Sequence, residues 1–418
     1  PRFISDIRQI EKYRENPMGA SLPIAYAGYT FEAVDERTVQ VTSSELNVAM
    51  LTDFAYAWSA VVDTTVADTL ANQPVGTGPY KYVSWQNGSS VQLTRNENYW
   101  NKDDAPYFGN LTFKIITEDT TRVTALQTGD VDCTVAPPES MLDVLKGDQN
   151  LTLTSSPGFG VSFVAFNTQK EPFNNVKVRQ AIYDAIDLDT IQSSLIKDAG
   201  EASTALPSST ALFTIETDRW NDYLSKAPKH TYDVEAAKAL LAEAGYPDGF
   251  TCSLMIADSS LRNSMALAIQ EQLAQIGITV NINKVSTGEH TAYQFGEKLD
   301  ANGLRDYDMI MAGWEADYPD PSGNLTPLYQ GGNSSNAAAY QNDEVDKLIA
   351  DQAQNSDPTQ RNDDMFQAFD IITQDVPYVF LYYPVKNIAM NKAYTGVTMN
   401  ASWIWNIHFQ SVHPVSEG

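Results

Sequence analysis

The segment that most constrains the fold is residues 250–285, "FTCSLMIADSSLRNSMALAIQEQLAQIGITVNINKV". FTCSLMI reads as a strand. SSLRNSMALAIQEQLAQIG reads as a helix with a serine cap and Gly277 at its end. ITVNINKV alternates as a second strand. A strand–helix–strand unit must lay its helix against a sheet, so this part of the chain is α/β.

The neighbouring segments extend that reading. "NNVKVRQAIYDAID" (174–187) puts Val176, Val178, Ala181, Ile182 and Ala185 on one helical face. Residues 232–246 form a second helix with an Asp cap, closing at Gly245. "YDMIMAGW" adds a strand. Two more helices follow at roughly 342–355 and 358–374, the second opening at Asp357-Pro358.

Outside this block the pattern changes. "TFEAVDERTVQVTSS" gives two strand-like runs around a turn at Asp35-Glu36, and residues 80–157 are mostly strand. One helix interrupts them, "EDTTRVTALQTGD", with Asp119 or Thr120 as cap and Gly129 at its end. "SSPGFGVSFVAFNTQ" (155–169) reads as an alternating strand that connects lobes. An α/β lobe over about 170–375, flanked by β-rich chain on both sides, predicts one lobe inserted into another.

Lys and Arg total 27 against 53 Asp and Glu, a net charge of -26. That field repels polyanions and excludes nucleic acid as a partner. No apolar run reaches the roughly 18–20 residues of a spanning helix. Cys133 and Cys252 have no metal-type spacing and read as buried small hydrophobes. His230, His290, His408 and His413 share no metal spacing either, and no cofactor is expected. Asn-x-Ser/Thr triplets at Asn87, Asn110, Asn150, Asn324, Asn333 and Asn400 read as chance in an Asn-, Ser- and Thr-rich chain.

The functional candidate is "DYDMIMAGWEADYPDPSGNLTPLY" (306–329). In α/β sheets ligands sit beyond the carboxyl ends of strands. Ala312 and Gly313 keep the bend narrow, and Trp314 offers a flat apolar wall with one donor. Pro319 and Pro321 stiffen the loop. Asp317 or Asp320 held there suits an ammonium group or a sugar hydroxyl. The same residues also fit a turn in which the aspartates bond their own backbone and Trp314 is core. A carboxylate pair working on a glycosidic bond is a third option.

Five motifs, in order, then carry a resemblance over essentially the whole chain. They are "PVGTGPYKYVSW…VQLTRNENYW" (74–100), "AFNTQKEPFNNVKVRQAIYDAIDLDTI" (165–191), "AAKALLAEAGYPDGF", "AIQEQLAQIGITVNI" and "GWEADYPDPSG". With these the chain resembles the extracytoplasmic solute-binding proteins of bacterial ABC transporters, in the dipeptide- and oligopeptide-binding family, family 5. The resemblance implies a periplasmic-binding-protein-like fold of two hinged lobes, with an extra small domain on the first. Residues 1–75 would be the remainder of that extra domain, since family members carry a further stretch before this point. Residues 76–158 and 386–418 would form lobe one, and 159–385 lobe two.

The resemblance further implies a monomer outside the cytoplasmic membrane, in the periplasm or lipid-anchored as a lipoprotein. It would capture a short peptide between its lobes and deliver it to permease subunits without catalysis. Asp317 would pair with the peptide's α-ammonium group, Trp314 would line a side-chain pocket, and Gly313 and Glu315 would be ligand-binding residues beside it. Tyr382 and Tyr383 would join them from the aromatic strand near the C-terminus. Some oligopeptide binders have an arginine three residues before the tryptophan. Met311 stands there, and Arg262 is the candidate replacement, its alternative being a solvated helix residue. Arg179 is expected to be a structural ion-pair residue. Two alternatives stand beside the peptide receptor: an oligosaccharide receptor of the same family, and a glycoside hydrolase using Asp317 and Asp320.

Overall fold

The structure is a computed structural model that describes residues 29–35, 37–51, 64–70, 72–204, 206, 216–227, 231–316, 320–399 and 408–415. The described chain divides into two compact units. Among the described residues, one holds those up to Thr154 and from Asn387 onward; the other runs from Ser155 to Lys386.

The first unit opens with an antiparallel hairpin, β1 (Tyr29–Ala33) and β2 (Val39–Ser43). Its turn closes on Asp35, whose Oδ1 accepts from the backbone N–H of Arg37 and Thr38, both at 2.8 Å. An antiparallel meander follows: β3 (Tyr80–Gln86), β4 (Ser90–Arg95) and β5 (Asn110–Lys114). Helix α1 (Asp119–Thr128) ends at Gly129, whose left-handed φ of 82° closes the last turn. Glu118 is the residue at its N-terminal boundary, one before the expected cap. Then come β6 (Cys133–Val135), α2 (Leu142–Gly147) and β7 (Leu151–Pro157). Val123, Leu126, Leu145, Leu151 and Ala389 form a core of this unit.

The second unit is built on β8 (Gly160–Phe166), and all seven of its residues are buried. The sequence led us to expect an alternating strand here. Covering on both faces removes the polar face, so the run reads GVSFVAF instead. Next are α3 (Val176–Asp184), α4 (Leu188–Ile191), β9 (Gly200–Ala202), α5 (Thr217–Lys226) and α6 (Val234–Glu243). The strand–helix–strand unit is β10 (Thr251–Ala257), α7 (Ser260–Ala274) and β11 (Thr279–Val285). After it come α8 (Thr287–Gln294), β12 (Met309–Glu315), α9 (Ser322–Tyr329), α10 (Asp343–Gln354), α11 (Pro358–Asp375) and β13 (Tyr378–Asn391).

The sheet order is β11-β10-β12-β8-β13, with β9 also on β13. β10 is parallel to both β11 and β12, whereas β8 runs antiparallel to β12 and β13. Side-chain caps start the helices: Asn175 on α3, Asp233 on α6, Ser259 on α7, Ser286 on α8, Asn342 on α10 and Asp357 on α11. Arg179 is structural, but its donors go to main-chain carbonyls: Nε to Asp375 O at 2.8 Å and Nη1 to Phe173 O at 2.7 Å. A cation at the carboxyl end of α11 meets the negative pole of that helix, with no carboxylate needed. Beyond Lys386 the chain rejoins the first unit. There the second half of β13 pairs with β6, and β14 (Tyr394–Thr395) pairs with β15 (His413–Pro414).

Gly277 does more than stop α7. Its backbone lies against Gly249, where an added Cβ would sit 2.0 Å from the Gly277 carbonyl oxygen. Gly249 also has a φ of +75°. Gly249→Ala therefore combines a left-handed backbone, costing about 1–2 kcal/mol, with a backbone clash. Thermal unfolding of this variant is expected to shift down by several degrees.

Candidate functional site

β12 places the first site residues. Opposite it on β8, Gly313 faces Ser162, Trp314 faces Val161 and Glu315 faces Gly160. On the other edge of β8, Tyr382 also faces Ser162. Gly313 and Tyr382 thus flank one residue, about 9–10 Å apart across two strand spacings. Glycine fits at 313 because an added Cβ would meet the Val161 carbonyl at 3.0 Å.

The polar groups of these residues are largely spent within the protein. Trp314 Nε1 donates to Gly323 O at 2.8 Å, tying the indole to the first turn of α9, while its ring packs against the buried core. Glu315 pairs with Lys386 at 2.7 Å. Tyr383 is buried; its hydroxyl accepts from Thr204 N–H at 3.0 Å and donates to Leu206 O at 2.8 Å. The buried Tyr382 ring lies against Gly200, where an added Cβ would come within 2.2 Å. What this strand end can offer a ligand is the indole surface.

Arg262 comes from a helix rather than from the sheet. It lies in the first turn of α7, half-buried. Its charge acts on His290: burial, and then Arg262, push that imidazole down to about 4. His290 is therefore neutral at neutral pH. Its Nε2 lies 3.0 Å from Met311 O, so Nε2 carries the proton and donates.

Asp317 lies outside the described residues. Asp320 is buried in a two-pronged pair with Arg361, Nη1 to Oδ2 at 2.8 Å and Nη2 to Oδ1 at 2.7 Å. Its Oδ1 also accepts from Ser322 N–H at 2.9 Å and Ser322 Oγ at 2.7 Å. This carboxylate anchors the start of α9 to α11 and has no part left for acid–base work. Sequence reasoning missed Arg361, which lies 41 residues downstream with no local signal to mark it.

Elsewhere, burial pushes the thiols of Cys133 and Cys252 up to about 12, so both stay protonated. Asn324 is fully buried, which removes it as a glycan acceptor. His230 lies outside the described residues. Among the described residues no group of three or more His, Cys, Asp or Glu is placed to hold a metal, and no helix is long and apolar enough to cross a membrane.

The chain belongs to the bacterial extracellular solute-binding proteins of family 5: the model of that family's middle region matches residues 10–336. It is 30% identical over 378 residues to the glutathione-binding protein GsiB of Pectobacterium atrosepticum, covering 87% of this chain and 70% of that protein. It is 32% identical over 335 residues to heme-binding protein A of Haemophilus influenzae, covering 76% of this chain and 58% of that protein. Among solved structures it is similar to the periplasmic binding protein DppA of Helicobacter pylori in complex with the peptide STSA. The TM-score is 0.80 at 25% identity, over 97% of this chain and 81% of that one. The fold is the α/β, two-lobe fold of the periplasmic binding proteins.

Asp320→Asn leaves the Arg361 guanidinium buried with half its partner gone. Breaking a buried pair costs about 3–5 kcal/mol. Urea unfolding of the variant is expected to show a loss on that scale, with binding per folded molecule unchanged. A variant that unfolds normally but loses binding would return Asp320 to the recognition machinery.

Proposed function

We propose that this chain captures a short peptide and delivers it to the permease subunits of an ABC transporter. It works as a monomer outside the cytoplasmic membrane and catalyses nothing. The observation that carries the reading is the likeness to DppA holding a tetrapeptide, which spans nearly all of this chain. Glutathione, bound by the relative GsiB, is itself a tripeptide with a free amine and free carboxylates.

In this reading Asp317 pairs with the peptide's α-ammonium group. Trp314 presents its indole surface to a side chain, from a position fixed by the Gly323 carbonyl. The ligand's backbone pairs with exposed strand edge, which tolerates many sequences. Met311 lies buried within β12, so no cation at that position meets the peptide carboxylate.

Native mass spectrometry of the purified protein, followed by gentle denaturation, tests the ligand class. A set of short peptides is expected. A sugar or a haem in their place overturns the peptide reading. Asp317→Asn tests the anchor: losing one partner of a desolvated ion pair costs about 3–5 kcal/mol, roughly a hundred- to several-thousand-fold in Kd. Calorimetry with an eluted peptide is expected to show that loss with the fold intact, and a loss below about tenfold removes Asp317 from the role.

A further inference from the structure

β12 is unequally supported on its two edges. On one it pairs with β8 along its whole length, Met309 to Glu315. On the other it pairs with β10 only from Met309 to Met311. β10 runs on beside β11, as far as Ala257 opposite Val285. Beyond Met311 the ladder between β10 and β12 stops, and the carbonyls on that edge need other donors.

Helix α8 supplies them from side chains. His290 Nε2–H donates to Met311 O at 3.0 Å, and Gln294 Nε2 donates to Gly313 O at 2.8 Å. Both side chains are shielded from water, with His290 3% and Gln294 8% exposed. The spacing explains why one helix face can do this. Four residues of α-helix advance about 6 Å, and two residues of strand advance about 6.6 Å. Side chains one helical turn apart therefore meet carbonyls one strand repeat apart.

We propose that His290 and Gln294 are positioning residues for solute recognition. They take over from β10 as the edge partner of β12 and fix the strand end that carries Gly313, Trp314 and Glu315 into the Asp317 loop. A full-length β10 partner would satisfy the same carbonyls, but its backbone would crowd the carboxyl end of the sheet, where α/β folds take their ligands. Side-chain donors satisfy the edge and leave that end open. Neither residue needs to touch the solute, because both act through the strand. The inference rests on the reading above, in which this end of β12 meets the ligand.

The test uses His290→Met and Gln294→Met, which fill the same space without a donor, and His290→Gln, which restores an N–H. Hydrogen exchange with mass spectrometry reads the backbone, and calorimetry against a mixture of unblocked di- to pentapeptides reads binding. Each Met variant is expected to speed exchange at 312–316 about tenfold while 309–311, still held by β10, keep their protection. Affinity is expected to fall about tenfold with it, and His290→Gln recovers both. Unchanged exchange overturns the clamp, and faster exchange with wild-type affinity overturns its role in recognition. A wild-type chain that binds none of the peptides sinks the peptide reading instead, and the exchange pattern alone then decides the clamp. Should a Met variant fail to fold, the contrast of His290→Gln with the parent chain still tests the donor at 290.

Discussion

Everything in the second unit hangs on the burial of β8. A strand covered on both faces has no water to satisfy its backbone, so both of its edges must be paired. β12 and β13 do this, each antiparallel to it. Their register is then fixed, because a slip of one residue would turn every side chain to the wrong face. Val161, Phe163 and Ala165 share a core with Ile310, Ala312, Tyr378, Phe380 and Tyr383. The positions of Trp314 and Tyr383 follow from that packing rather than from any ligand.

The loop after β12 is governed by a second constraint, electrostatic in origin. A buried carboxylate is tolerated only when it is paired and hydrogen-bonded. Asp320 meets both conditions through Arg361 and Ser322. Trp314 is tied to the same helix start through Gly323 O.

The sequence was most readable where structure is local. Among the described residues, seven helix starts carry an Asn, Asp or Ser whose side chain accepts a backbone N–H, and Gly129 and Gly277 end their helices at positive φ. The strand–helix–strand unit at 251–285 forms as its periodicity implied. Legibility failed where the deciding partner is distant in the chain. β8 reads from its sequence as an alternating strand, because nothing within it reveals the cover on its second face. Arg179, read as a structural ion-pair residue, instead meets main-chain carbonyls at the end of a helix nearly two hundred residues away. The pairing of Asp320 with Arg361 and the grip of α8 on β12 are likewise invisible to local periodicity. For the Asp317 loop, only the motif and the family likeness speak.

The division of the chain also sets an order of assembly. Among the described residues the second unit is one stretch, Ser155 to Lys386, and those contacts are available once that stretch has been made. The first unit is not continuous. β6 waits for Ile388, Ala389 and Met390 to pair with it, and Lys392 reaches Gln149 O across 243 residues of chain. Closing so long a loop is slow compared with local pairing. During synthesis the contacts within Ser155 to Lys386 are therefore available before β6 has its partner strand.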